Sequence, residues 1–219
     1  VANVDQAVIV VSLLEPELKP HLIDRYLAAA QRGGLTPIVC LNKADLLDPA
    51  LVQPLIGSYA RLGITAMLTS ATGNIGIPEL RRRLAGKASV IAGQSGVGKS
   101  SLLNAVQAGL ALRVSPVSAV NNKGRHTTTT AELIKLDAGG WVVDTPGVRQ
   151  LALYDAAAGE VEGYFPEFAP FITQCGFPDC THTHESRCAV KKAVARRLLS
   201  ARRYTSYLGL LDNATETPS

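Results

Sequence analysis

The most specific chemistry in the chain sits in eight consecutive residues, Gly93-Gln94-Ser95-Gly96-Val97-Gly98-Lys99-Ser100, which match the phosphate-loop pattern G-x-x-x-x-G-K-[ST] with no departure. The glycines let successive backbone N–H groups point inward at phosphate oxygens, and the helix opening at Lys99 adds a favourable dipole. Lys99 would reach the β- and γ-phosphates, the Ser100 hydroxyl would bind Mg²⁺, and Ser101 completes the set at the helix start. Such a loop selects a nucleoside triphosphate and is silent on the base. A second constellation lies near the C-terminus: Cys175, Cys180, His182 and Cys188, with His184 close by. Three thiolates and one imidazole are a common structural zinc set, and a full set of protein ligands leaves no open position for catalysis. By spacing alone either His182 or His184 could complete it. Thiols clustered beside histidines argue for metal rather than disulfides, and for a reducing compartment. Cys40 lies in an apolar run and is expected in the core.

Further segments read as nucleotide contacts. Asn42-Lys43-Ala44-Asp45 resembles the N-K-x-D guanine motif of GTPases. The Asp45 carboxylate would accept from guanine N1–H and the 2-amino group. Adenine offers no matching pair of donors, so ATP would leave a charged acceptor unpaired. The Lys43 stem would pack over the base and Asn42 would brace neighbouring loops. Thr69-Ser70-Ala71 resembles the second guanine loop, whose backbone N–H groups at Ser70 and Ala71 face O6. Asp144-Thr145-Pro146-Gly147 resembles D-x-x-G, with Asp144 holding Mg²⁺ through water and the Gly147 N–H meeting the γ-phosphate. Between the phosphate loop and that element lies Gly124-Arg125-His126-Thr127-Thr128-Thr129-Thr130. One of these threonines would complete the Mg²⁺ shell while the γ-phosphate is present; Thr128 is favoured. Ras-type enzymes orient the attacking water with a Gln just after D-x-x-G, whereas this chain has Val148. His126 is the candidate catalytic replacement, Arg125 or Arg149 could neutralise charge, and slow intrinsic hydrolysis accelerated by a partner is expected.

The elements that must hold these residues alternate. Short β-branched runs at 8–11, 37–41, 66–69 and 89–92 read as buried strands. Helices are predicted from Pro20 to Arg32, from the Asp48-Pro49 cap to about Leu62, from Pro78 to about Gly86, and over 99–108. Residues 132–136 and 141–143 read as a hairpin about Ala138-Gly139-Gly140. Strands alternating with helices predict an α/β fold: a doubly wound, mostly parallel sheet covered on both faces. That pattern fades after Arg149. The predicted organisation is a nucleotide-binding domain at 1–154, a zinc-binding helical module at 155–212 and a disordered tail at 213–219. Residues 187–203 carry seven basic side chains and no acidic one. A single helix there would place Val190, Val194, Leu198 and Ala201 on one face and Lys192, Arg196 and Arg203 on the other. Tyr204 and Tyr207 are expected in the core.

Composition narrows the class. Apolar residues are 47% and charged residues 18%, as in globular chains. No apolar run approaches the about 20 residues of a membrane span, and no charged-plus-apolar leader pattern is present. Lys plus Arg is 22 against 18 Asp plus Glu, a net charge of +4 that permits a nucleic-acid partner without requiring one.

The order of the motifs is unusual. Ordinary GTPases place the phosphate loop first and N-K-x-D late; here N-K-x-D is at 42–45, the phosphate loop at 93–100 and D-x-x-G at 144–147. The sequence is therefore circularly permuted, which leaves the packed sheet intact because only connections change. Permutation, the phrase Gly-Arg-His-Thr-Thr-Thr and the trailing Cys/His cluster together resemble the ribosome small subunit-dependent GTPase A family, also called RsgA or YjeQ, over nearly all of residues 1–211. The resemblance implies a P-loop GTPase that uses GTP/GDP, Mg²⁺ and structural Zn²⁺, with His182 as the fourth zinc ligand. It implies a cytoplasmic protein, or an organelle stroma or matrix one in a eukaryote. It also implies late maturation of the small (30S) ribosomal subunit as the role, with the subunit and its rRNA as partners and as stimulators of hydrolysis. The basic stretch would contact rRNA phosphates. A monomer is expected. Family members carry an N-terminal OB-fold; the chain begins at Val1 with Met67 its sole Met, so a preceding portion is expected. Thr145 stands where Ser is common. Three other readings compete: a non-ribosomal GTP switch acting on a protein partner, a kinase or ATPase, and a zinc-stabilised RNA-binding module with a vestigial site.

Overall fold

The structure, a computed structural model, describes residues 4–112, 132–144 and 157–216. The chain forms two compact units, one made of Val1–Lys19 with Gly33–Leu151, the other of Pro20–Arg32 with Ala152–Ser219.

The first unit is built on a six-stranded sheet in the order β3-β2-β1-β4-β6-β5. Its strands are β1 (Gln6–Ser12), β2 (Thr36–Asn42), β3 (Thr65–Leu68), β4 (Ala88–Ala92), β5 (Glu132–Lys135) and β6 (Trp141–Asp144). All pairs are parallel except β5 with β6, the predicted hairpin, which puts β5 antiparallel at the edge. Every residue of β1 is buried, as expected of a central strand covered on both faces. Helices α3 (Ile77–Leu84) and α4 (Lys99–Val106) lay Ile77, Leu80 and Leu84, and Leu102, Leu103 and Val106, onto Val8, Val10, Ile38 and Ile91 of the sheet. Cys40 is part of this core, where burial pushes its thiol up to about 12 and keeps it protonated.

The helix predicted to open at Asp48 forms in two pieces. Asp48 accepts from the Ala50 N–H at 2.9 Å, but the first turn, Pro49–Val52, is a 3₁₀ turn and the α-helix, α2, is Gln53–Ala60. Pro54 explains the break: it has no N–H to return to the preceding turn and fits only where a new helix begins.

The second unit departs further from expectation. Helix α1 (Pro20–Arg32) falls by sequence within the nucleotide-binding domain, yet it belongs here, with α5 (Ala158–Val161), α6 (Ala169–Ile172), α7 (Ala189–Ala195) and α8 (Ala201–Glu216). Asp24 is fully buried on α1 and accepts from Arg203 Nη1 at 3.0 Å and Ser206 Oγ at 2.6 Å, both on α8. Arg203 also donates to Glu167 from Nε (2.7 Å) and Nη2 (3.1 Å) and lies over the Phe165 ring at 4.4 Å. A buried carboxylate without these partners would carry a large desolvation penalty, so the network fixes which helix α1 docks on.

Arg203 is therefore not on a solvated basic face. The single basic helix also breaks, because residues 196–200 separate α7 from α8 and Arg197 is left-handed (φ 60°). The break resets the register: Leu199 is buried while Leu198 is 64% exposed. Lys192, Arg196 and Arg197 remain exposed. α8 continues to Glu216, so the first residues of the expected disordered tail are helical. Tyr204 and Tyr207 both pack with Phe168; Tyr207 takes the core position expected of it, while Tyr204 is half-buried. Among the described residues no helix is long and apolar enough to cross a membrane.

Candidate nucleotide site and candidate metal centre

Loops that follow parallel strands leave a sheet at one edge, and ligands settle there where the strand order reverses. In this sheet the chain steps outward through β1, β2 and β3, then returns to place β4 on the other side of β1. The predicted base loops follow β2 and β3, and the predicted phosphate loops follow β4 and β6, on either side of that switch point.

Side chains tie these loops together. Asn42 Nδ2 donates to the Val97 carbonyl at 2.7 Å, and Asn42 Oδ1 accepts from Thr69 Oγ1 at 3.2 Å. One buried amide thus bridges the phosphate loop and both base loops. Asp45 lies in a 3₁₀ turn, Ala44–Leu46, and its Oδ2 accepts from Thr72 Oγ1 at 3.1 Å. The hydrogen bond from Ser70 holds its carboxyl below the usual range. Ser70 is buried; its Oγ also accepts from Gly73 N–H at 2.9 Å, and Ala71 follows it at the same turn. Lys43 is left-handed (φ 63°) and its Nζ donates to the Glu15 carbonyl. Neither Thr72 nor the Glu15 contact is apparent in the sequence, since each depends on loops from different strands meeting.

In the phosphate loop, Lys99 Nζ donates to the Gly93 and Gln94 carbonyls, each at 2.9 Å. Val97 is buried beneath the loop, Gln94 and Ser95 are exposed, and Gly96, Ser100 and Ser101 are partly exposed. Gly98 (φ 95°) lies so close to the Asn42 amide that a Cβ would meet Nδ2 at 2.4 Å. At Gly93 (φ 150°) a Cβ would meet the Val10 carbonyl at 2.1 Å, which no side-chain shift relieves. Gly93→Ala should therefore displace the loop from β1 and weaken GTP binding by about tenfold or more, an order set by strain of a few kcal/mol at such a position. A fluorescent-nucleotide titration checks this; unchanged affinity would show that the loop tolerates the shift. Asp144 ends β6 in register with Ile91, and its side chain lies outside the described residues. His126, Thr128, Arg125, Thr145, Gly147 and Arg149 also lie outside them.

The Cys/His cluster does converge. Sγ of Cys175, Cys180 and Cys188 and a ring nitrogen of His182 all lie within 4.8 Å of one another. His182 Nδ1 is 3.6 Å from Cys175 Sγ and 3.3 Å from Cys188 Sγ. Cys175 and Cys188 Sγ are 4.0 Å apart, far beyond the roughly 2.05 Å of a disulfide and suited to thiolates sharing one tetrahedral ion. Backbone N–H groups of Ala189 and Lys191 point at Cys175 and Cys188 sulfurs, each at 3.4 Å. Burial, with the neighbouring Cys188 and Cys175 thiols, pushes Cys180 up to about 12. Three sulfurs and one imidazole nitrogen gathered about a single point are the donor set of a structural zinc site. The donor set therefore fits zinc. His184 stays exposed beside Thr183. Lys191, counted among the basic residues, instead donates to the Thr183 and Glu185 carbonyls and clamps the loop.

A phosphate loop and a guanine-type loop bridged by one asparagine, on a mostly parallel sheet with permuted motif order, define the class: a circularly permuted P-loop GTPase. The family model described as RsgA GTPase matches residues 1–154. The chain is 46% identical over 211 residues to the small ribosomal subunit biogenesis GTPase RsgA of Thermotoga petrophila, covering 95% of this chain and 70% of that protein. It is 38% identical over 218 residues to the protein of the same name from Phocaeicola vulgatus, covering 98% and 70%. Among solved structures, YjeQ from Thermotoga maritima superposes with a TM-score of 0.84 at 41% identity, over 100% of this chain and 74% of that one. The circularly permuted GTPase YloQ gives 0.78 at 32% identity, over 99% and 70%. The chain belongs to the RsgA GTPase family.

Proposed function

We propose that this GTPase acts on the small ribosomal subunit, assisting its late maturation, and that the subunit stimulates its hydrolysis. The observation that carries the reading is the Asn42 bridge, which joins a guanine-type loop to the phosphate loop in a chain whose relatives are named for small-subunit biogenesis. In this reading Asp45 and the Ser70-Ala71 turn bind the guanine, and Lys43 covers it. Residues 93–101 and Gly147 hold the phosphates. Ser100, Thr128 and Asp144 would hold Mg²⁺, which supplies charge neutralisation across the β- and γ-phosphates. His126 orients a water whose oxygen forms the new bond to the γ-phosphorus as the bond to the GDP oxygen breaks, and the water's proton leaves with phosphate. Cys175, Cys180, His182 and Cys188 hold a structural Zn²⁺. The exposed Lys192, Arg196 and Arg197 contact rRNA phosphates, so binding weakens with salt. The protein works as a cytoplasmic monomer. The relatives lend nothing to the alternative of a switch acting on a protein partner.

The test is the GTPase rate of the protein alone, with purified small subunits and with large subunits. A slow basal rate raised only by small subunits is expected. Equal rates in all three conditions would overturn the reading.

A further inference from the structure

His182 has two ring nitrogens, and the structure gives each a different partner. Nδ1 faces the thiols of Cys175 and Cys188. Nε2 lies 2.7 Å from Oε2 of Glu162, in the 3₁₀ turn Glu162–Tyr164. The ring is fully buried while the Glu162 side chain keeps 33% of its exposure. Tyr204 donates to the His182 carbonyl at 2.6 Å, and the Phe168 ring meets the imidazole edge-on at 6.1 Å. The backbone and faces of the ring are thus fixed by packing, and its far nitrogen is fixed by one carboxylate.

We infer that Glu162 is a positioning residue of the metal centre: its carboxylate accepts the Nε2 proton and so holds His182 in the tautomer whose Nδ1 lone pair points at the ion. The inference rests on the zinc reading of the four ligands. Its physical basis is general. A neutral imidazole can ligate through only one nitrogen, and a carboxylate on the other fixes the tautomer, the ring plane and the ligand basicity. Glu162 also ties the centre to its surroundings. Phe165 N–H donates to the Glu162 carbonyl at 3.0 Å, and the Gly163 carbonyl accepts from Gln31 Nε2 of α1 at 3.0 Å.

The experiment compares wild type, Glu162→Ala and Glu162→Gln in the full chain by competition for zinc with a chromogenic chelator. It adds the His182 tautomer from long-range ¹H–¹⁵N spectra of the zinc-loaded wild type. Glu162→Ala should weaken zinc binding by about 10–100-fold, the range of such outer partners, and Glu162→Gln, which keeps an oxygen acceptor, should recover most of the loss. The spectra should show Nδ1 on the metal and a proton on Nε2. Wild-type zinc affinity retained by Glu162→Ala, or Nε2 on the metal, would overturn the inference while leaving the zinc centre standing. No zinc uptake by the wild type would overturn both. Should Glu162→Ala not fold, the wild-type tautomer still decides, because Nε2 on the metal would leave no proton for Glu162 to accept.

Discussion

Asp45→Asn is expected to lower GTP affinity by about two to three orders of magnitude while raising affinity for XTP, with ATP binding weak throughout. A carboxylate that accepts from N1–H and the 2-amino group makes two charge-assisted hydrogen bonds, each contributing roughly 1.5–3 kcal/mol. Asparagine keeps the shape but turns one acceptor into a donor, which then faces the guanine 2-amino group. Xanthine carries an oxygen at that position and so pairs with the new donor. The loop keeps this carboxylate ionised at neutral pH, since Thr72 donates to Oδ2 and the Ser70 bond holds its pKa low. The low pKa also means that guanine preference should persist well into mildly acidic solution and fall only as the carboxyl protonates. Equilibrium titration of wild type and variant with GTP, XTP and ATP checks both parts. Wild-type affinity for ATP equal to that for GTP, or a variant with unchanged GTP affinity, would remove Asp45 from base reading.

Local patterns are the legible part of this protein. The phosphate loop is contiguous, its flanking strand and helix follow from short-range periodicity, and the parallel sheet follows from their alternation. The edge hairpin is legible for the same reason, because its turn residues sit between its strands. Interactions between distant segments are not. α1 buries Ile23, Tyr26 and Leu27 at helical spacing, and that stripe reads identically whichever layer covers it. Its place in the second unit is set by Asp24 finding Arg203, 179 residues away. Arg203 in turn reads as solvated because a charge run carries no sign of which member is buried. The break between α7 and α8 is equally hidden: residues 196–200 contain neither glycine nor proline, and the turn forms at Arg197 in a conformation that non-glycine residues seldom adopt. The Cys/His cluster is visible as spacing, but the choice of His182 over His184 needs the fold, and Glu162, twenty residues upstream, has no signal in spacing at all.

Chelating the zinc proposed for Cys175, Cys180, His182 and Cys188, or replacing Cys188 by Ser, should unfold the second unit rather than merely loosen a loop. Apparent binding free energies of structural zinc are about 10–16 kcal/mol, comparable with the whole stability of a domain at roughly 5–15 kcal/mol. The aromatic residues of this unit pack directly around the ligands. Its core is an aromatic cluster of Phe165, Phe168, Tyr204 and Tyr207 gathered around His182, and its helices α5, α6 and α7 are each too short to persist alone. Tyr204 and Tyr207 hydroxyls donate to the carbonyls of His182 and Thr181, so the ligand loop and α8 stand or fall together. Once that loop opens, Arg203 loses its setting and Asp24 is left as a buried charge whose partner has moved, which releases α1 as well. Hydrogen exchange should therefore show lost protection in residues 189–216 and, unexpectedly from sequence distance, in residues 20–32. Trp141, the sole tryptophan, lies on β6 of the first unit and provides a separate fluorescence signal for the sheet. Protection of α1 and α8 that survives both chelation and Cys188→Ser would show that the buried Asp24–Arg203–Glu167 network, not the metal, holds the unit together.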